Sequence, residues 1–382
     1  MSIVVFPFRI EDPEIVLNNL RIAASHPAVD LVLAVGAETE STFRAVEVAR
    51  QEIEAAASTT VELILQDRIG TRRAGKGDGM NTGLRYFLSE TTADRVHFYD
   101  ADITSFGPEW ITQAERGADL GYDVVRHFFP RASTDAMITW MVTRTGFALL
   151  WPDSELPRIE QPLGGELLFT RSVAEALVAD VRVQEQSDWG IDTLYTFSTV
   201  QAGFSVYETY VRQGKAHALY GGLTDLRVML VECFTAIQSL SSEKVDDAVA
   251  HRMEATDAVP ASVTEKIGYN LETTLHLLGV DWTDHQADLL ELFPDVVRAG
   301  MLASRSAPTF LFMDEDAWYM TYRTLVEHFV SGDEDWESLL FRLWVTRVIN
   351  YTATRALRGY DHSQQYLESM VAGYVRRAAF GS

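Results

Sequence analysis

Arg95-Val96-His97-Phe98-Tyr99-Asp100-Ala101-Asp102 is an apolar, strand-like run that ends in two carboxylates one residue apart. Side chains on a strand alternate between faces, so the reading places Asp100 and Asp102 on one side at the strand's carboxyl end, where open α/β sheets bind their ligands. Two hard oxygen donors at such an edge suit a divalent cation holding a diphosphate. The spacing alone is not specific, because Asp314-Glu315-Asp316 and Asp333-Glu334-Asp335 share it. Those copies stand at helix starts, where acidic residues answer the helix dipole and need no metal.

Around this run the pattern alternates. Residues 3–8, 31–35, 61–65 and 96–99 read as strands, and 13–25, 41–57, 80–88 and 108–118 carry apolar residues at helical spacing. Repeated β-α units require a mostly parallel sheet covered on both faces, so the fold class is α/β. Farther along, 122–128, 165–169 and 204–210 are expected as strands and 135–150 and 193–201 as helices. From 223 onward the spacing predicts helices throughout, with capping boxes at Ser262-Val263-Thr264-Glu265 and Thr283-Asp284-His285-Gln286. The expected organisation is a sheet-based catalytic domain over 1–222 and an all-helical C-terminal domain over 223–382.

The 382 residues carry a formal net charge of −23. Phosphate-backbone binding relies on basic patches, so this balance argues against a nucleic-acid surface. An anionic substrate must meet positive charge that is concentrated locally. Cys233 is the single cysteine, so no intrachain disulfide or thiolate cluster forms, which fits the cytoplasm. Residues 1–10 read as a first strand rather than a signal peptide. The most hydrophobic later stretch, 136–151, is interrupted by Thr139, Thr143, Arg144 and Thr145. It falls short of the ~20 apolar residues that a membrane span needs. A soluble cytoplasmic protein, without a membrane partner and assembling as a homo-oligomer, is expected.

Four segments carry candidate chemistry. Arg68, Arg72, Arg73 and Lys76 lie among glycines at 70, 75, 77 and 79, a loop whose backbone N–H groups and basic side chains suit a phosphate. Its spacing is not that of a Walker loop. Asp102 is the first choice as ligand to Mn²⁺ or Mg²⁺, His217 in Gly214-Lys215-Ala216-His217 the second, and Asp100 lies nearby through water or a ribose. Arg131, just before a helix whose cap is Ser133, Thr134 or Asp135, suits a small carboxylate through an arginine fork and helix-start N–H groups. Ser187-Asp188-Trp189-Gly190-Ile191-Asp192 pairs an aromatic with two acids, a combination suited to sugars.

With these residues in place, the chain resembles the mannosylglycerate synthase family, glycosyltransferases of the GT-A fold, over nearly its whole length. The resemblance rests on Gly75-Lys76-Gly77-Asp78-Gly79-Met80-Asn81-Thr82, on His97 through Pro108, on Gln161-Pro162-Leu163-Gly164-Gly165-Glu166-Leu167 and on the 187–192 segment. It implies retaining transfer of mannose from GDP-mannose to the 2-hydroxyl of D-glycerate, a compatible-solute synthesis. It also implies that Pro7, Phe8, Arg9, Glu11, Val35, Gln66, Lys76, Asp100 and Ala101 hold the nucleotide. By the same resemblance Leu163, Trp189, Asp192, Tyr220 and Met229 surround the sugar, and Arg131, Asp135, Ala136 and Thr139 bind glycerate. Asp102 and His217 hold the metal, while Asp192, Arg131 and Lys76 act nearest the chemistry. The chain departs at Arg9-Ile10, where the family is expected to carry Lys-His, and Arg keeps the charge but not the shape.

Other readings use the same residues. A glucose donor, or lactate or glycolate as acceptor, would keep the fold. A nucleotidyltransferase would place its glycine-rich loop after the first strand, whereas here it follows the third. A non-catalytic nucleotide-sugar-binding protein is disfavoured because every metal and phosphate candidate is present.

Overall fold

The computed structural model describes residues 2–216, 222–245, 249–256, 259 and 268–380. By internal contacts the chain forms two units. One comprises 1–130, 158–218 and 245–258, the other 131–157, 219–244 and 259–382. The boundary expected at 222 therefore lies near one of several points where the chain passes from one unit to the other.

The first unit holds an eight-stranded sheet. Its strands are β1 (Ser2–Pro7), β2 (Val29–Gly36), β3 (Thr60–Leu65), β4 (Arg95–Phe98), β5 (Val124–Phe128), β6 (Leu167–Thr170), β7 (Val206–Tyr210) and β8 (His251–Met253), in the order β3-β2-β1-β4-β6-β5-β7-β8. All pairings are parallel except those of β6, which runs antiparallel to β4 and β5. The mostly parallel α/β sheet is thus the one its alternating pattern dictates. Central strands covered on both faces need unbroken apolar runs, and Ile3, Val4, Val5 and Phe6 of β1 are all buried. Because β1 lies between β2 and β4, the chain reverses its direction of growth there, and the switch point opens at the carboxyl ends of β1 and β4.

Helices α1 (Pro13–Ala24), α2 (Ser41–Ala57), α3 (Lys76–Glu90) and α4 (Pro108–Asp119) connect the first strands. Asp12 caps α1 by accepting the Glu14 amide, and Pro13 stands at its first turn, where no N–H partner is lost. Two further helices, Arg171–Ala179 and Val181–Glu185, lie in a stretch the periodicity left unassigned.

Helices dominate the second unit. Asp314 and Asp333 cap Glu315–His328 and Glu334–Thr354 with their carboxylates, accepting the amides of Ala317 and Trp336 at 2.9 and 3.1 Å. The two decoy copies of the acidic pattern are helix starts, as read. Thr283 caps Asp284–Leu289 through the Gln286 amide at 3.0 Å, whereas Gln286 bonds Asp335 instead of closing the box. The box at 262–265 lies outside the described residues.

Three expectations need correction. Residues beyond 223 are not helical throughout, because β8 completes the sheet edge beside β7. The helix expected over 135–150 is present but starts later, after Ala136 with φ of 57°, and is a π-helix over Thr139–Arg144 before the α-helix Thr145–Leu150. Helix α3 begins at Lys76, so Gly77 and Gly79 belong to a helix and not to a phosphate loop.

Candidate active site

The switch point gathers one compact set of charges. Strand β4 ends at Phe98, so Asp100 and Asp102 sit in the turn beyond it and strand alternation does not govern them. They differ in partners accordingly. Asp100 is clamped by two lysines, with Lys76 Nζ 3.0 Å from Oδ1 and Lys215 Nζ 2.6 Å from Oδ2. Lys76 also reaches Asp192 Oδ2 at 2.9 Å, and Lys215 reaches Glu166 Oε1 at 2.6 Å. Glu166, Lys215, Asp100, Lys76 and Asp192 therefore form a chain of alternating charge.

Burial makes these charges strong partners. It disfavours charge on Asp100, but Lys215 and Lys76 outweigh it and hold that carboxyl well below the usual range. Burial likewise opposes charge on both lysines, and their carboxylates win, raising both above the ordinary lysine range. Asp192 behaves in the opposite way: burial pushes it up to about 6, with Lys76 opposing. Glu11 is also raised, mainly by burial, with Asp102 and Asp100 adding repulsion.

Main-chain ties fix the acidic turn. Asn19 of α1, itself buried, donates from Nδ2 to the carbonyls of Ala101 and Ile103 at 3.1 and 3.0 Å. Downstream, Thr104 donates N–H and Oγ1–H to the Ala216 carbonyl at 2.7 and 2.9 Å, and Ser105 Oγ bonds the Gly214 carbonyl and the Ala216 amide. The segment that leads to residue 217 is thus stitched to the segment that follows Asp102.

Lys76 owes its place to the crossing of α3 over residues 185–187. A Cβ at Gly77 would lie 2.2 Å from the Gln186 carbonyl oxygen, and the Asp78 amide donates to the Ser187 carbonyl at 3.2 Å. Asp78, fully buried, accepts the amides of Ile69 and Gly70 and the Arg68 guanidinium. Of the basic cluster, then, Lys76 enters the acidic site and Arg68 braces the loop. Trp189 is half-buried, with its ring centroid 5.5 Å from Lys76 Nζ. Asp188 accepts the Gly190 amide at 2.8 Å in the turn just before the helix Ile191–Gln201, an ordinary turn bond for an acid.

The other nucleotide candidates border the same edge. The Phe8 amide donates to the Val35 carbonyl at 2.9 Å just past Pro7, and Gln66 Nε2 donates to the Gly75 carbonyl at 3.3 Å. Glu11 accepts the Arg9 amide, while Arg9 and Ile10 are exposed. Leu163 is half-buried in the turn that precedes Gly165, where a Cβ would lie 2.4 Å from Asp100 Oδ1. His217 and Tyr220 lie outside the described residues. Among the described residues no three His, Cys, Asp or Glu side chains come together as a metal site.

The acceptor candidates belong to the helical unit. Arg131 pairs with Asp135 at 3.3 Å, and Asp135 Oδ1 accepts the Ala136 amide at 2.7 Å. A non-glycine residue at positive φ followed by a π-helix is a strained arrangement that recurs at functional sites. Thr139 opens that π-helix and is buried, and Met229 is half-buried in the helix Arg227–Ser239. Sequence reasoning missed Lys215, Glu166 and Asn19. Lys215 stood two residues from His217 as a signal, but only the fold shows what the other two touch.

No described helix is long and apolar enough to cross a membrane. The chain matches the family model for the mannosylglycerate synthase GT domain over residues 2–239 and that for the mannosylglycerate synthase C-terminal domain over residues 263–371. A mannosylglycerate synthase of Rhodothermus marinus is 62% identical over 379 residues, covering 99% of this chain and 96% of that protein. One of Selaginella moellendorffii is 55% identical over 374 residues, covering 97% and 89%. A solved structure of glucosyl-3-phosphoglycerate synthase from Mycobacterium tuberculosis aligns over 65% of this chain and 81% of that one, at 20% identity and a TM-score of 0.48. On its two matched domains and its near full-length relatives, the chain is a glycosyltransferase and belongs to the mannosylglycerate synthase family.

Proposed function

We propose that this glycosyltransferase moves mannose from GDP-mannose to the 2-hydroxyl of D-glycerate, with retention of anomeric configuration. The observation that carries the reading is the acidic cluster in which Asp100 holds Lys76 and Lys215, at the switch point of a parallel sheet. The two lysines are outnumbered by Asp100, Glu166 and Asp192, with Asp102 and Glu11 nearby, and such an acidic edge suits a divalent cation that would bring a nucleoside diphosphate to it.

A carboxylate with an imidazole, Asp102 with His217, would suit Mn²⁺ or Mg²⁺, since Asp100 is already committed to Lys76 and Lys215. When bound, the ion supplies positive charge opposite the leaving diphosphate. Pro7, Phe8, Arg9, Glu11, Val35, Gln66 and Ala101 would line the nucleotide, and Lys76, kept protonated by its carboxylates, would face the phosphates. Trp189 offers the hexose an apolar ring face, with Leu163, Asp192, Tyr220 and Met229 completing its surroundings. Asp192 keeps Oδ1 without a protein hydrogen-bond partner, an acceptor suited to a sugar hydroxyl. Arg131, with Asp135, Ala136 and Thr139, would orient the glycerate carboxylate so that its 2-oxygen meets the anomeric carbon as the bond to phosphate breaks.

The test is Asp102→Ala. Transfer should fall by about a thousand-fold or more while the melting temperature stays near that of the parent. Full activity of that variant under added Mn²⁺ would reject the metal assignment. Mass spectrometry of products from GDP-mannose or GDP-glucose with D-glycerate, lactate or glycolate separates the substrate alternatives.

A further inference from the structure

One buried guanidinium shapes the turn that carries Leu163. Residues 161–164 form a turn closed by the Gly164 amide, which donates to the Gln161 carbonyl at 3.0 Å. Arg126, in the middle of β5 and only 1% exposed, reaches it from the sheet. Its Nη2 donates to the carbonyls of Gln161 at 3.0 Å, Pro162 at 3.3 Å and Gly164 at 3.4 Å. Thr196, on the helix that also bears Asp192, donates Oγ1–H to the Pro162 carbonyl at 2.7 Å. Beyond the turn, Gly165 rests against Asp100 and Lys76, and Glu166 is held by Lys215. The segment is therefore tied on both sides of Leu163, which lies between the carbonyls that Arg126 collects.

Burying a guanidinium is unfavourable, and among the described residues Nε and Nη1 of Arg126 have no hydrogen-bond partner, so Nη2 alone makes its bonds to the turn. Burial lowers the Arg126 pKa to about 10, with Glu208, Asp192 and Glu166 opposing, so the group stays cationic at neutral pH. Three carbonyls of one turn converge on that single nitrogen, Nη2, a position that the shorter stem of lysine does not reach.

We infer that Arg126 is a positioning residue for hexose recognition: it fixes the turn at 161–164 and thereby the place where Leu163 meets the donor's sugar. The inference rests on the assignment of Leu163 to the hexose made above.

Calorimetry on the full chain, comparing GDP with GDP-mannose for the parent, Arg126→Lys and Thr196→Val, tests it, with thermal unfolding as the check on folding. The readout is the gain in affinity from GDP to GDP-mannose. That gain should shrink about ten-fold in Arg126→Lys and by less in Thr196→Val, while affinity for GDP alone stays within about two-fold. An undiminished gain in folded Arg126→Lys, or GDP affinity falling as far as GDP-mannose affinity, overturns the inference. If Arg126→Lys does not fold, Thr196→Val decides, and an undiminished gain there overturns it. A parent chain with no gain at all strikes the hexose assignment itself, a result distinguishable because it involves no variant.

Discussion

Asp192 shows how one environment gives two carboxylates different tasks. Asp100 holds two lysines and stays ionised, whereas Asp192 pairs with Lys76, and burial pushes it up to about 6 although Lys76 and Arg126 oppose. As pH falls through that value Asp192 gains a proton and loses the charge that faces Lys76, so its work as a carboxylate is confined to the alkaline side. The value of kcat/KM for transfer is expected to rise with pH through about 6 and then level, and Asp192→Asn should lack that limb and fall by about a hundred-fold or more. A parent profile flat from pH 5 to 7 (roughly a unit on each side of that value) would remove Asp192 from this role. The residue type and its spacing from Trp189 were legible in the sequence. Its pKa was not, since burial and a lysine 116 positions away decide it.

Helix α3 carries the same lesson for glycine. In sequence its glycines read as phosphate-loop punctuation, but Gly77 is helical and sits where Gln186 passes too close for any side chain. Gly373, in the helix Tyr360–Phe380, has open space, with only Arg376 Nη2 at 3.9 Å from a would-be Cβ. The two substitutions should therefore act with opposite signs. Gly77→Ala is expected to destabilise by about 1–3 kcal/mol through overpacking and to weaken GDP binding by displacing Lys76. Gly373→Ala is expected to stabilise by about 0.5–1 kcal/mol. Urea unfolding measures both, and a neutral Gly77→Ala would mean that the crossing over 185–187 has room to give. Capped helices such as those after Asp314 and Asp333 were readable because their signals are local. Strand β8 was not, because three residues pair with β7 whatever their own preference.

The order of elements along the chain does not match the order of the two units, and stability follows the units. Within the sheet unit, β7 depends on residues past 245: His251 pairs with buried Glu208 at 2.9 Å, and Glu254 accepts from Tyr207, Thr209 and the Tyr210 amide, each at 2.9 Å. Within the helical unit, buried Trp318 and Tyr322 donate to the carbonyls of Met141 and Val142 at 3.0 and 2.9 Å, in the π-helix upstream. A chain stopped at 222 would take His251 from Glu208 and Glu254 from Tyr207, Thr209 and Tyr210, at about 1–3 kcal/mol for each group left without its partner, and would bare the edge of β7. A chain of residues 223–382 would leave Trp318 and Tyr322 without acceptors, at about 1–3 kcal/mol each, besides losing the helix Thr145–Leu150 that packs on Tyr360–Phe380. Neither piece is expected to unfold cooperatively on its own by calorimetry, whereas the full chain is expected to, because a loss of this size is a large share of a domain's ~5–15 kcal/mol. A sharp, reversible transition in either isolated piece would show that these ties across the chain add little, and that folding follows sequence order after all.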